Sequence, residues 1–125
     1  MTTPIDGAPF GTRMIVDVTD VHVESEGLNA RMKGQATADW ASLAADGTFQ
    51  LDVRATLESD DGALILAQYM GRCDFSNPEA PGPVYATPRF ETGDPRYAWL
   101  NKLQAVMKGK VELPTHITYR IYAVQ

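Results

Sequence analysis

Four short segments carry side chains that could do chemistry. Asp39-Trp40 sets a carboxylate beside a large aromatic ring. That pair suits a cavity mouth with an acid or base against an aromatic wall. It equally suits a loop tryptophan that plugs one end of the fold. Asp52 and Arg54 come next, two apart, with Glu58 four beyond Arg54. A guanidinium fixed in a cavity would stabilise a phenolate or enolate; on a solvated face it would form a weak cross-strand ion pair. The third segment is PVYATPRFE (83–91), where strict alternation sets Tyr85, Thr87, Arg89 and Glu91 on one side. Tyrosine, arginine and carboxylate in a row can bind an oxyanion and move a proton, and a solvated strand face would read the same. Pro88 lacks an amide N–H, which predicts an edge or a bulge there. The fourth is YAWLN (97–101). Trp99 and Asn101 could form an aromatic lid with a hydrogen-bonding group, or Tyr97 and Trp99 could pack in the core. Tyr69 and Arg72, and Tyr119 and Tyr122, could extend a wall. Tyr69 and Arg72 are an odd number of positions apart, so a regular strand sends only one of them inward.

Other chemistries lack their residues. With two histidines and one cysteine, a structural zinc site of four Cys and His ligands cannot be built. A nucleophile–histidine arrangement would need His22 or His116, and neither VTDVHVES nor LPTHITYR places a nucleophile motif nearby. Neither GxGxxG nor GxxxxGK[ST] occurs. The expectation is therefore no metal and no cofactor. A formal charge of −5 argues against a nucleic-acid partner. No apolar run approaches the roughly 20 residues of a membrane helix. MTTPIDGAPF has no basic region followed by an apolar stretch, so no secretory signal is expected. A lone Cys73 fits a reducing cytoplasm.

The elements that must position these groups are strands. The 125 residues make one domain, read as a loose N-terminal arm (1–12) and a single barrel (13–125). Residues 13–25 alternate as one long strand, or two with an offset near Asp20. Residues 28–36 are a short candidate, and Asp39-Trp40 falls in a loop. The clearest strand is 48–58. There Phe49, Leu51, Val53, Ala55 and Leu57 point one way, and Gln50, Asp52, Arg54, Thr56 and Glu58 the other. Ser59-Asp60-Asp61-Gly62 is a hairpin turn, and residues 63–74 return as its partner. Strands follow at 84–92, 103–112 and 117–124, with a loop at 77–83, a break at 93–95 and an ambiguous stretch at 96–102. Leu113-Pro114-Thr115 separates the last two strands, and Gly109 is a candidate bulge. Seven or eight short strands with almost no helix predict an all-β fold. The expected form is a small antiparallel β-barrel of about eight strands, like lipocalins, with room for one small ligand.

The run PRFETGDPRYAWLN (88–101), preceded by GPVY (82–85), resembles the signature of the DUF3237 family, also called UPF0311. DGTFQLDVRATLESDDGALI (46–65) is similar to that family's central hairpin. Asp39-Trp40 resembles its GADW-type segment, with Thr37-Ala38 where a Gly-Ala pair is usual. The resemblance spans roughly 28–124. It departs in a glycine-poorer approach to the second strand and in Arg120, where an acidic residue is common. It implies an allene-oxide-cyclase-like barrel, often oligomeric. It also implies kinship with cofactor-independent cyclases, proteins that guide phenoxy radicals, and formaldehyde-releasing lyases of aromatic catabolism. By matched position the motif residues are Asp39, Trp40, Arg54, Tyr85, Arg89, Glu91, Trp99 and Asn101.

These readings converge on one expectation: a cofactor-free lyase or isomerase on a small phenolic or carbonyl compound. Asp39 or Glu91 would act as base, Arg54 and Arg89 as oxyanion donors. Trp40, Tyr85 and Trp99 would hold the ring, and Asn101 would orient it. Two alternatives share the residues. One is a carrier or sensor barrel without chemistry. The other is an assembly protein in which the motif faces build an interface in a dimer or trimer.

Overall fold

The computed structural model describes residues 2–112 and 116–124. Residues 113–115, read as the last turn, lie outside the described residues. Ten strands form one antiparallel sheet: β1 (Thr2–Ile5), β2 (Thr12–Asp17), β3 (His22–Glu24), β4 (Asn29–Met32), β5 (Ala38–Leu43), β6 (Thr48–Ser59), β7 (Leu64–Asp74), β8 (Val84–Thr92), β9 (Ala105–Glu112) and β10 (His116–Ala123). The main path runs β1-β2-β5-β6-β7-β8-β9-β10, with β4 on the far half of β6 and β3 beside it. The fold is all-β and barrel-like. β1 and β10 are the two borders of the curled sheet, and no ladder joins them among the described residues.

The β6–β7 hairpin is the spine. Its register is unbroken from Thr48↔Asp74 to Glu58↔Leu64. Gly62, at φ +89°, closes the turn, a conformation only glycine adopts without strain. On the inner face Leu51, Val53, Ala55 and Leu57 are buried, and so are Ile65 and Ala67 opposite them. Leu28, Ala30 and Leu100 seal this core at one end; Cys73 and Val84 join Leu51 and Val53 at the other. Each large aliphatic there contributes about 1.5–3 kcal/mol by leaving water.

Three local readings change. Residues 2–5, read as part of a loose arm, pair as β1 with β2; Gly7 and Gly11 take positive φ in the connection. The expected offset near Asp20 is present, since β2 ends at Asp17 and β3 starts at His22. Residues 38–43, read as loop around Asp39-Trp40, are strand β5. Gly109 makes no bulge, because β9 and β10 stay in one register throughout. Its missing side chain makes room for Tyr119, whose ring atoms would lie 2.6 Å from an added Cβ.

Residues 95–102, ambiguous in sequence, form a 3₁₀ segment capped by Asp94. Arg96 bridges Asp94 at 2.8 Å and Asp61 at 3.2 Å, and the Tyr97 hydroxyl donates to Asp61 at 2.8 Å. The segment is thereby tied to the β6–β7 turn. Its hydrogen bonds from Arg96 hold the Asp94 carboxyl down at about 2.

Candidate functional site

Cross-strand partners project to the same face, so the register assigns every side chain. Arg54, Gln68 and Arg89 form one row. With Asp52, Glu91, Trp40 and Tyr85 they lie on the outer face, opposite the buried row of Val53 and Ala86. Trp40 is 51% exposed and Tyr85 57%. The Lys108 ammonium lies 5.8 Å from the Tyr85 ring centroid. The expectation that Arg54, Arg89, Glu91, Trp40 and Tyr85 line the barrel interior is therefore corrected. They share a face, as alternation predicts, but that face meets solvent. The reason is elementary: the apolar members of these strands take the concave side, and the polar rows follow to the convex one.

Trp99 is also exposed, its ring lying over Gly27. Asn101 is a structural clamp rather than a substrate group. Its Oδ1 accepts the Thr92 N–H at 2.8 Å and its Nδ2 donates to the Thr92 carbonyl at 2.9 Å. One side-chain amide thus replaces a missing strand partner. Asn101→Ala should lower stability by about 1–3 kcal/mol, the penalty of stranding those two polar groups. Urea denaturation monitored by circular dichroism checks it, with Asn101→Asp intermediate because it keeps only the acceptor.

Asp39 alone among the four proposed catalytic groups points inward. It is 8% exposed and is the partner of Val53. The β5–β6 ladder carries Ala38↔Arg54 and Asp39↔Val53, then resumes at Ser42↔Gln50. In the gap the Asp39 Oδ1 accepts the Asp52 N–H at 2.9 Å. Burial pushes the carboxyl up to about 6; the Asp52 N–H opposes this, and the Asp52 charge adds to it.

Two tyrosines face the same interior. Tyr69 is the other neighbour of Val53, so its backbone stands about 10 Å from that of Asp39. Tyr119 reaches over Gly109 from β10 and meets Tyr69 edge-on, with centroids 5.7 Å apart. Burial first, then the charge of Asp39, pushes the Tyr69 hydroxyl up to about 12. Tyr119 is also raised, by burial and then by Tyr69 and Asp39. The interaction between the hydroxyls lowers Tyr69 and raises Tyr119, the sense expected when Tyr119 donates. Beside them the inner side of β10 is open. Ile117 and Ile121 share the Tyr119 face yet remain 36% and 44% exposed. The trio is thus a buried carboxylate and two protonated phenols beside an apolar, solvent-reachable wall. Alternation marked Tyr69 as a strand residue whose face opposes that of Arg72. What the sequence lacked was the direction of that face.

The histidines lie elsewhere: His22 pairs with Glu24 at 3.3 Å, and His116 with Glu112 at 2.6 Å. Among the described residues no three His, Cys, Asp or Glu side chains gather as metal ligands, and no helix is long and apolar enough to cross a membrane.

Residues 1–124 match the model of a family described as "Protein of unknown function (DUF3237)". The chain belongs to the DUF3237 family. Among relatives, the UPF0311 protein RPA1785 of Rhodopseudomonas palustris (strain ATCC BAA-98 / CGA009) is 28% identical over 102 residues, 72% of this chain and 66% of that protein. The DUF3237 chain therefore matches just under two thirds of that relative's length. Among solved structures, a beta-barrel like protein of Acinetobacter baumannii AYE superposes with a TM-score of 0.88. It is 27% identical, covering 100% of this chain and 87% of that one. The crystal structure of RPA1785, a conserved protein of unknown function, gives 0.86 at 21% identity, covering 100% and 89%; a likeness at that identity concerns the fold alone.

Proposed function

We propose that this DUF3237 protein is a cofactor-independent isomerase or lyase that moves a proton on a small phenolic or carbonyl compound. The observation that supports it is the inward trio of Asp39, Tyr69 and Tyr119. A carboxylate that ionises near pH 6 is a competent base at neutral pH. Two partly buried phenols that keep their protons can donate to an oxygen that gains charge. Asp39 takes the proton from a carbon next to the carbonyl, and the electron pair moves onto the oxygen held by the tyrosines. Asp39, after exchange of its proton with solvent, returns a proton to another carbon of the conjugated enolate and completes an isomerisation. In a lyase reaction Asp39 instead takes the proton of a hydroxyl on the carbon β to the carbonyl; that carbon leaves as a small aldehyde such as formaldehyde as its bond to the α-carbon breaks, the electron pair passes onto the oxygen held by the tyrosines, and the α-carbon is then protonated. The open wall of Ile117 and Ile121 suits an aromatic ring. Arg54, Arg89 and Glu91 have no part in this version.

A cytoplasmic location fits the single free thiol, Cys73, which is buried. A dimer or trimer rests on the family resemblance and on the exposed apolar residues of β10.

The test is solvent exchange. Phenolic ketones and aldehydes are incubated with the protein in D₂O and followed by mass. Deuterium should enter at the carbon beside the carbonyl, and Tyr69→Phe or Tyr119→Phe should slow it by about 10²–10³-fold, the usual effect of losing one oxyanion donor. Saturable binding with no exchange and no product would make the protein a carrier instead.

A further inference from the structure

A recess separate from the inward trio opens on the outer face, and it originates in one proline. β8 pairs with β9 only at Val84↔Gly109, Tyr85↔Lys108 and Ala86↔Met107. The next β8 residue with its main chain directed at β9 is Pro88, which has no N–H to continue the ladder. Beyond it the strands part. The opening is a recess of about 660 Å³ lined by Leu66, Gln68, Arg89, Glu91, Lys102 and Gln104, among others. Asn101 closes its far end by taking both main-chain groups of Thr92. Phe90, two residues before Thr92, directs its N–H the same way, past the end of the ladder.

The recess is rich in donors and its charges are uncompensated. Among the described residues neither Arg89 nor Lys102 takes part in an ion pair, and Glu91 takes none either. Arg54 adds positive potential one strand further, across Gln68. Two free cations, two amide side chains and a main-chain N–H around a floor with Leu66 and Leu103 describe a site for a charged head on an apolar body. A single negative charge suits it better than two, because Glu91 stands in the wall and the chain carries −5.

We infer that this recess binds a small organic carboxylate, held by the Arg89 fork with the Gln68, Gln104 and Phe90 N–H groups around it. A guanidinium takes a carboxylate through two parallel hydrogen bonds, and the apolar floor takes the hydrocarbon part. The site is separate from the inward trio and does not depend on it.

Benzoate titrated into the ¹⁵N-labelled protein tests the assignment. Saturating shifts are expected at the Gln68 and Gln104 side-chain amides and at Phe90. Arg89→Ala should weaken binding about tenfold, and Glu91→Gln should tighten it severalfold. Arg120→Ala removes a cation from β10, outside the recess, and should leave affinity unchanged, as should Asp39→Asn. Absence of shifts at those three groups overturns the proposal. So does equal loss in Arg89→Ala and Arg120→Ala, which would mean a diffuse field. Tighter binding of inorganic phosphate than of benzoate overturns the choice of carboxylate.

Discussion

Asp39→Asn should reduce turnover by about 10²–10⁴-fold, the range that a positioned base contributes, while leaving the fold intact. The asparagine Oδ1 can still accept the Asp52 N–H that bridges the gap in the β5–β6 ladder. What it cannot do is accept a proton. Wild-type activity should rise with pH through about 6, where Asp39 ionises, and the residual activity of the variant should lose that limb. Stability should move the opposite way. The carboxyl holds its proton more tightly folded, at about 6, than at its ordinary 3.8. Its contribution to stability is therefore full below 3.8 and is lost as pH rises through 6. Ionised Asp39 then costs up to about 3 kcal/mol. Relative to wild type, Asp39→Asn should gain stability between pH 4 and pH 8, and urea midpoints at the two pH values measure it. Unchanged turnover in a folded variant would remove Asp39 from the chemistry.

The largest loss of stability is expected at a glycine far from any turn. Gly71 faces inward on β7, opposite Ala86 of β8. A Cβ there would meet the Tyr85 carbonyl oxygen, the Ala86 Cβ at 2.7 Å and the Ala86 Cα at 2.9 Å. These atoms belong to a strand paired on both sides, so they cannot yield without opening a ladder. Gly71→Ala should cost roughly 3 kcal/mol, the upper end of overpacking, and lower the melting temperature by on the order of 10 °C. Gly109→Ala is the informative contrast. The atoms nearest its new Cβ belong to the side chains of Tyr119 and Ile117, which border the open wall and can swing aside. It should cost less stability and more activity, because the displaced ring is one of the proposed donors. Calorimetry on both variants, with turnover on Gly109→Ala, separates the two effects.

How much of this was legible in the sequence depends on which rule each element obeys. The β6–β7 hairpin was readable because alternation is perfect from Phe49 to Glu58 and Asp61-Gly62 supplies the turn. β5 was not. ADWASL carries two alanines, a serine and an aspartate, weak strand formers, and tertiary pairing with β2 and β6 overrides them. The family and the all-β class were legible from residues 28–124. The direction of the polar rows was not, because period-two alternation separates two faces without saying which is concave. Asp39 stood out only through its neighbour Trp40, although the two point to opposite sides. Tyr119 could not be ranked above Tyr122, since a tyrosine suits either face. Gly109 misled because glycine in a strand signals either a bulge or a close approach, and here a ring approaches.

The sheet path also says something about the order of construction. Apart from the β3–β4 excursion, strands adjacent in space are adjacent in the chain, so the wall can be laid down hairpin by hairpin during synthesis. Asp39 and Tyr69 arrive on early strands, whereas Tyr119 arrives on the final one. A nascent chain therefore carries most of the wall before it can carry the proposed reaction.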